Sequence, residues 1–196
     1  MIILTGLVSI IIFILYIMDL RKHKFTTKTM VITGMMSALS YVLYMVPLVK
    51  YPQGGGITLM SMLPIMILSI LCGRTAGLTG GMIFGLCKIL NGAVIIHPVQ
   101  FVLDFILSSM ALGLADTFGH DKKYKIICGG LFATGIALCF NILSGALFFG
   151  QYAPKGMNVL LYSCIYNGSS AGVEGLITSV LLVLVPIKRF FKGRSL

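Results

Sequence analysis

Helix-length apolar runs recur along the whole chain, and no other feature limits its fold as strongly. The first, 2-IILTGLVSIIIFILYIM-18, holds no charged residue. Inside lipid every backbone N–H and C=O must find a partner within the protein, which leaves only helices or a closed barrel. The runs are long and do not alternate strictly, so helices are expected rather than barrel strands. Composition agrees: of 196 residues, 58% are hydrophobic and 10% charged, and the mean hydropathy is +1.02. The fold class is therefore all-α, a polytopic membrane protein in contact with a lipid bilayer.

Seven spans are predicted, at 2–18, 29–49, 57–72, 75–91, 98–115, 126–149 and 160–187. Residues 1–28 form an extra N-terminal transmembrane helix with a basic linker. Residues 29–196 form a six-helix membrane domain. The formal net charge is +10, which raises the question of nucleic acid. The positions of the charges answer it. Of 15 Lys and Arg, 12 fall in alternate loops, at 21–28, Arg74, 119–125 and 188–194. Lys50 and Lys155 lie in the opposite loops and Lys88 within a span. This asymmetry reports topology, not a nucleic-acid partner. It places the C-terminus in the cytoplasm of a cell with this protein in its plasma membrane. It also favours contact with anionic headgroups. The basic residues follow the first apolar run rather than precede it, and no A-x-A site appears, so that run reads as a retained anchor with its N-terminus outside.

Ionisable side chains within spans are functional candidates by default. Three qualify: Lys88, Asp104 and Glu174. Residues at i, i+3, i+4 and i+7 share a helix face, and each ionisable group extends into a polar or aromatic stripe. Phe84, Lys88 and Asn91 align, as do Gln100, Asp104 and Ser108. Asn141, Gly145 and Phe149 form a third stripe. Asn167, Ser170 and Glu174 form a fourth, with Tyr162 near its outer end. Asp104 lies about six residues in from Pro98, roughly 9 Å at 1.5 Å per residue. The stripes so gather in the outer half of the bundle, with Glu174 deeper. Structural roles compete at each position. Lys88 and Asp104 can pair with each other. Asn141 and Asn167 can tie helices together. Tyr162 can sit in an interfacial belt, and Glu174 can be a helix tie.

Small residues suggest close helix contacts. Gly77, Gly81 and Gly85 repeat every four residues. Gly34 and Ala38 form another small-xxx-small pair, suited to packing within the chain or to docking. Five cysteines without a CxxC pair read as small buried apolar residues. No P-loop, metal-ligand spacing or nucleophile elbow occurs, so neither an enzyme nor a cofactor or metal site is expected.

The segments 73-GRTAGLTGGMIFG-85, 100-QFVLDFILSSMALGLAD-116, 141-NILSGALFFGQYAPKG-156 and 162-YSCIYNG-168 resemble the thiamine-specific S component of energy-coupling factor (ECF) vitamin transporters. The resemblance covers roughly residues 29–187 and leaves the N-terminal span outside. It implies a six-helix S-component bundle that captures a vitamin from outside. Such a subunit associates with a transmembrane component and two ATPase subunits, and topples to release its cargo. Gly34 and Ala38 match the small pair with which S components dock. The resemblance also implies a ligand site. A carboxylate at Asp104 and an amide at Asn167 would hold an aminopyrimidine edge, with Tyr162 in the same pocket. Phe105 stands where relatives have Tyr. Phe149, Phe84 and Gly55 stand where relatives have Trp, Asn141 where they have His, and Leu59 where they have Glu.

These differences remove aromatic faces and a carboxylate that suit a thiazolium cation, while Lys88 adds positive charge. The expected function is substrate capture for an ECF-type importer, of thiamine or a thiamine-like molecule, without covalent chemistry. The alternatives are an S component for another neutral or anionic vitamin-like ligand, or a stand-alone ion-coupled carrier using Lys88, Asp104 and Glu174.

Overall fold

Polar caps and glycine breaks divide the chain into helices at the places where the apolar runs pause. The computed structural model describes residues 2–22, 25–51 and 55–185. Seven helices are present among them. Helix α1 spans Ile2–Lys22. Helix α2, Thr27–Tyr44, begins where Thr26 accepts from Thr29 N–H, which satisfies one orphan amide of the first turn. Helices α3, Leu63–Cys72, and α4, Arg74–Lys88, are separated by Gly73 alone. Gly73 has φ +90°, a conformation that only glycine adopts freely and that lets the chain reverse within one residue. Helix α5, Pro98–Leu114, starts with His97 as N-cap and Pro98 in the first turn, where a missing N–H is harmless. Helix α6 is Lys123–Phe148. Helix α7, residues 159–182, is capped by Asn158.

Two helices are not regular. In α5, Val102–Leu107 winds as a π-helix, and in α7, Gly168–Gly172 does the same. Such insertions widen the turn and re-aim the side chains beside them.

The expected span at 57–72 is helical only from Leu63 onward. An antiparallel hairpin of β1, Pro47–Lys50, and β2, Gly56–Thr58, precedes α3. The predicted span at 29–49 likewise ends as helix at Tyr44, and its last residues enter β1. Helix α3 has ten residues, about 15 Å of rise, half of a hydrocarbon core of roughly 30 Å. The hairpin and the turn after it fill the remaining depth. Irregular backbone at such depth is tolerated where it lines a cavity, and this segment does. The all-α fold class holds, with this short hairpin as a local departure from the expected spans.

Helix α4 is central, packing against α2, α3 and α5, while α6 packs against α5 and α7. The glycine stripe explains how α4 and α5 meet. A Cβ at Gly81 would collide with the Ser109 carbonyl, and one at Gly85 with the Phe105 carbonyl. Backbone thus lies on backbone. The surface is inverted relative to a soluble protein. Ile3, Leu4, Met35 and Leu184 face outward, while Ser37, Ser40, Gln100 and Glu174 are buried. The cysteines follow the same logic against expectation: Cys128, Cys139 and Cys164 are exposed. In a bilayer a small apolar thiol sits as well against lipid as in a core.

Candidate small-molecule cavity

A cavity of about 520 Å³ occupies the end of the bundle that holds the α4 C-terminus and the α7 N-terminus. That volume lies in the range of small-molecule sites. Every one of Phe84, Lys88, Asp104, Phe105, Asn141, Gly145, Phe149, Tyr162 and Asn167 lines it. Asn91, Gln100, Ser108, Ser170 and Glu174, the other stripe members, line it too. The stripes come from four helices, and the glycine contacts and π-turns bring them to one space. Basic Arg74, Lys122, Lys123 and Lys125 sit at the opposite helix ends.

Asp104 lies within the π-helical stretch of α5. Its Oδ2 accepts from Gln100 Nε2 at 2.9 Å. Gln100, 1% exposed, also accepts from Ile96 N–H at 3.2 Å through Oε1 and donates to the Val94 carbonyl at 3.4 Å. The carboxylate is thereby linked to the loop that caps the cavity. Buried Ser144 lies beside Asp104, but its Oγ is outside hydrogen-bonding geometry. Oδ1 of Asp104 accepts no hydrogen bond among the described residues.

Lys88 does not pair with Asp104: no ion pair within 4 Å joins them among the described residues. Its Nζ stands instead 5.3 Å from the Phe84 ring centre and 5.8 Å from those of Tyr44 and Phe105. Ring faces attract an ammonium through their quadrupoles. The ion-pair alternative is so replaced by an aromatic enclosure.

Asn167 immediately precedes the π-helical stretch of α7. Its amide nitrogen donates to the Ser163 carbonyl at 3.0 Å and to the Asn141 carbonyl at 3.3 Å. Two carbonyl acceptors fix which end of the amide is nitrogen. Helix tie and cavity lining therefore coincide in this residue, with Oδ1 left as an acceptor. Gly145 permits the approach, since a Cβ there would collide with Ser163 Oγ.

Glu174, 3% exposed, is the tie that the sequence allowed. Oε2 accepts from Thr58 N–H at 2.7 Å, and Oε1 from Ser61 N–H at 3.0 Å and Ser61 Oγ at 2.9 Å. Thr58 Oγ1 also donates to it, at 2.7 Å. The turn 58-TLMS-61 wraps this carboxylate, with Met60 held at φ +57°, a conformation uncommon outside glycine. The glutamate is deep, and the turn descends to reach it.

Tyr44, Tyr51 and Tyr166 also line the cavity and were not singled out by the sequence. Tyr166 accepts from Gly55 N–H at 3.0 Å and packs edge-on against Tyr51 at 5.4 Å. Together they hold the hairpin on α7. The i+4 spacing of Tyr162 and Tyr166 was the available signal. Gly55 lines the cavity as its matched position implied, whereas Leu59 does not.

Fold and cavity define a membrane-embedded helical bundle with a cavity of small-molecule size at one end. The family profile described as Thiamine transporter protein (Thia_YuaJ) matches residues 30–192, and the chain belongs to that family. It is 33% identical over 150 residues to the thiamine transporter ThiT of Bacillus subtilis (strain 168), covering 70% of this chain and 78% of the relative. It is 27% identical over 163 residues to ThiT of Lacticaseibacillus paracasei, covering 71% and 81%. The solved structure of ThiT from Listeria monocytogenes superposes with a TM-score of 0.69 at 25% identity. That match covers 83% of this chain and 96% of the other.

Proposed function

We propose that the chain is the substrate-capturing S component of an ECF-type vitamin importer, and that it takes thiamine or a thiamine-like molecule from outside. The observation that carries this reading is convergence. Asp104, Asn167, Tyr162, Asn141 and Phe84 reach one cavity from four helices, in a chain whose relatives are named thiamine transporters. Asp104 and Asn167 offer acceptors for an amino-bearing edge. Phe84, Phe105 and Phe149 offer faces for a flat ring. Gly145 keeps α6 close to α7, and Lys88 and Asn141 set the remaining polarity.

Capture alone does not drive uptake. The sequence carries no phosphate-binding loop, so ATP would be hydrolysed by two partner ATPases joined through a transmembrane component. Gly34 and Ala38 suit docking to that component. Both are exposed on the outward face of α2, and a Cβ at Gly34 would meet nothing within 4 Å. The basic helix ends support a cell-membrane orientation with the cavity outside and the C-terminus in the cytoplasm.

Reconstitution tests the reading. Proteoliposomes holding the chain with a transmembrane component and its ATPases are expected to accumulate labelled ligand when ATP is enclosed. Uptake by the chain alone under a pH gradient would refute it and favour the ion-coupled carrier.

A further inference from the structure

The cavity carries its own cation. Lys88 Nζ is surrounded by the rings of Phe84, Tyr44 and Phe105, at 5.3 to 5.8 Å from their centres. Three aromatic faces around one positive charge form the kind of enclosure that receives cationic ligands. Here the enclosed charge belongs to the protein.

The surrounding charges do not offset it in favour of a second cation. Four charged side chains line the cavity among the described residues: Lys50, Lys88, Asp104 and Glu174. Their formal charges cancel. Glu174 is already satisfied by donors from Thr58 and Ser61. Asp104 gives one oxygen to Gln100 and keeps the other as an acceptor. Asn167 likewise keeps its Oδ1, because its nitrogen is held by two carbonyls. The cavity therefore offers acceptors for N–H donors and faces for a flat ring. A fixed positive charge on the ligand would share a low-dielectric space with an ammonium, where like charges repel far more than in water.

We propose that Lys88 sets the ligand class of this cavity: a flat heteroaromatic with an exocyclic amino group and no permanent positive charge. Hydroxymethylpyrimidine, the uncharged pyrimidine half of thiamine, is one such compound. Thiamine itself joins that ring to a thiazolium cation. This inference rests on the proposed function and selects within it.

Calorimetric titration of the full-length chain in detergent, with thiamine and with hydroxymethylpyrimidine, is the test. The wild-type chain is expected to bind hydroxymethylpyrimidine at least about tenfold more tightly than thiamine, a difference of about 1.4 kcal/mol. In Lys88→Met, thiamine affinity is expected to rise about tenfold or more, with a much smaller change for the uncharged ring. Wild-type binding of thiamine as tight as, or tighter than, the pyrimidine overturns the proposal while leaving the vitamin-capture role intact. An unchanged preference in a folded Lys88→Met chain overturns the assignment to Lys88. Failure of the wild type to bind either compound removes the proposed function along with the inference. Should the variant not fold, the wild-type preference alone decides.

Discussion

The amide of Asn167 and the carboxylate of Asp104 each use one end to hold the protein and present the other to the cavity. Residues of this kind couple fold to recognition, and truncation should show both effects. Asp104→Ala is expected to weaken ligand binding by about 2 kcal/mol, because a buried donor on the ligand loses its acceptor and Gln100 Nε2 loses the nearer of its two. Calorimetry on the purified variant measures this, and unchanged affinity would remove Asp104 from the site. Glu174 behaves differently, since its oxygens are directed to the 58–61 turn. Glu174→Ala strands the Thr58 and Ser61 donors and should destabilise the chain by about 3 kcal/mol, whereas Glu174→Gln keeps an acceptor and should cost less. Thermal melting of the two variants separates the cases, and equal melting temperatures would argue against the wrapped-turn role. Stripes at helical spacing made these polar positions readable, because so few polar groups lie within apolar runs. Their partners were not readable. Lys88 and Asp104 are opposite charges on neighbouring helices, yet three rings, not the carboxylate, surround the ammonium.

Among the elements, α4 and α5 decide the geometry of the cavity, because Lys88 and Asp104 ride on them. Their spacing depends on Gly81 and Gly85. Gly85→Ala would push a methyl group into the Phe105 carbonyl, inside the π-helical stretch beside Asp104. An overpacking cost of about 1–3 kcal/mol is expected, together with weaker ligand binding. Gly135→Ala is the contrast: that site is open, and alanine there should be neutral or stabilise the helix by up to about 1 kcal/mol. Melting curves and titrations on both variants test the pair; a Gly85→Ala chain that melts and binds like wild type would refute the close-contact account. Five of the seven expected spans correspond to helices with shifts of a few residues, since length and hydropathy dictate them; the last two residues of the span at 160–187 lie outside the described residues. The hairpin was hidden because 47-PLVK-50 and 56-GIT-58 extend apolar runs that otherwise read as helix. The π-turns were hidden because an extra residue per turn leaves the i, i+4 pattern of Gln100, Asp104 and Ser108 intact while bringing Phe105 and Ser109 to the same cavity.

At the scale of the whole molecule, helix α1 lies before the part of the chain that the family profile matches, which begins at residue 30. It nevertheless docks specifically. Tyr16, 6% exposed, packs with Leu103, Ile106 and Met110, and its hydroxyl lies 2.8 Å from Thr79 Oγ1. At the basic end, Asp19 meets Arg74 at 3.3 Å and accepts from Thr75 Oγ1 at 3.1 Å. These contacts reach the outward sides of α4 and α5, and no α1 residue lines the cavity. The helix should thus brace the bundle without shaping the site. Tyr16→Phe removes one hydrogen bond and should cost about 1 kcal/mol. Removal of residues 1–25 should lower the melting temperature further, since it also removes the contacts of Asp19 with Arg74 and Thr75 and the close packing of α1 on Leu103, Ile106 and Met110. Ligand affinity should stay within about threefold of the full chain, less than about 0.7 kcal/mol. Melting and titration in the same detergent read both quantities. A large loss of affinity in a truncated chain that still folds would mean that α1 holds the π-helical stretch of α5 in its binding geometry. In that case the helix would belong to the recognition unit, and the family bundle would not suffice for capture in this protein.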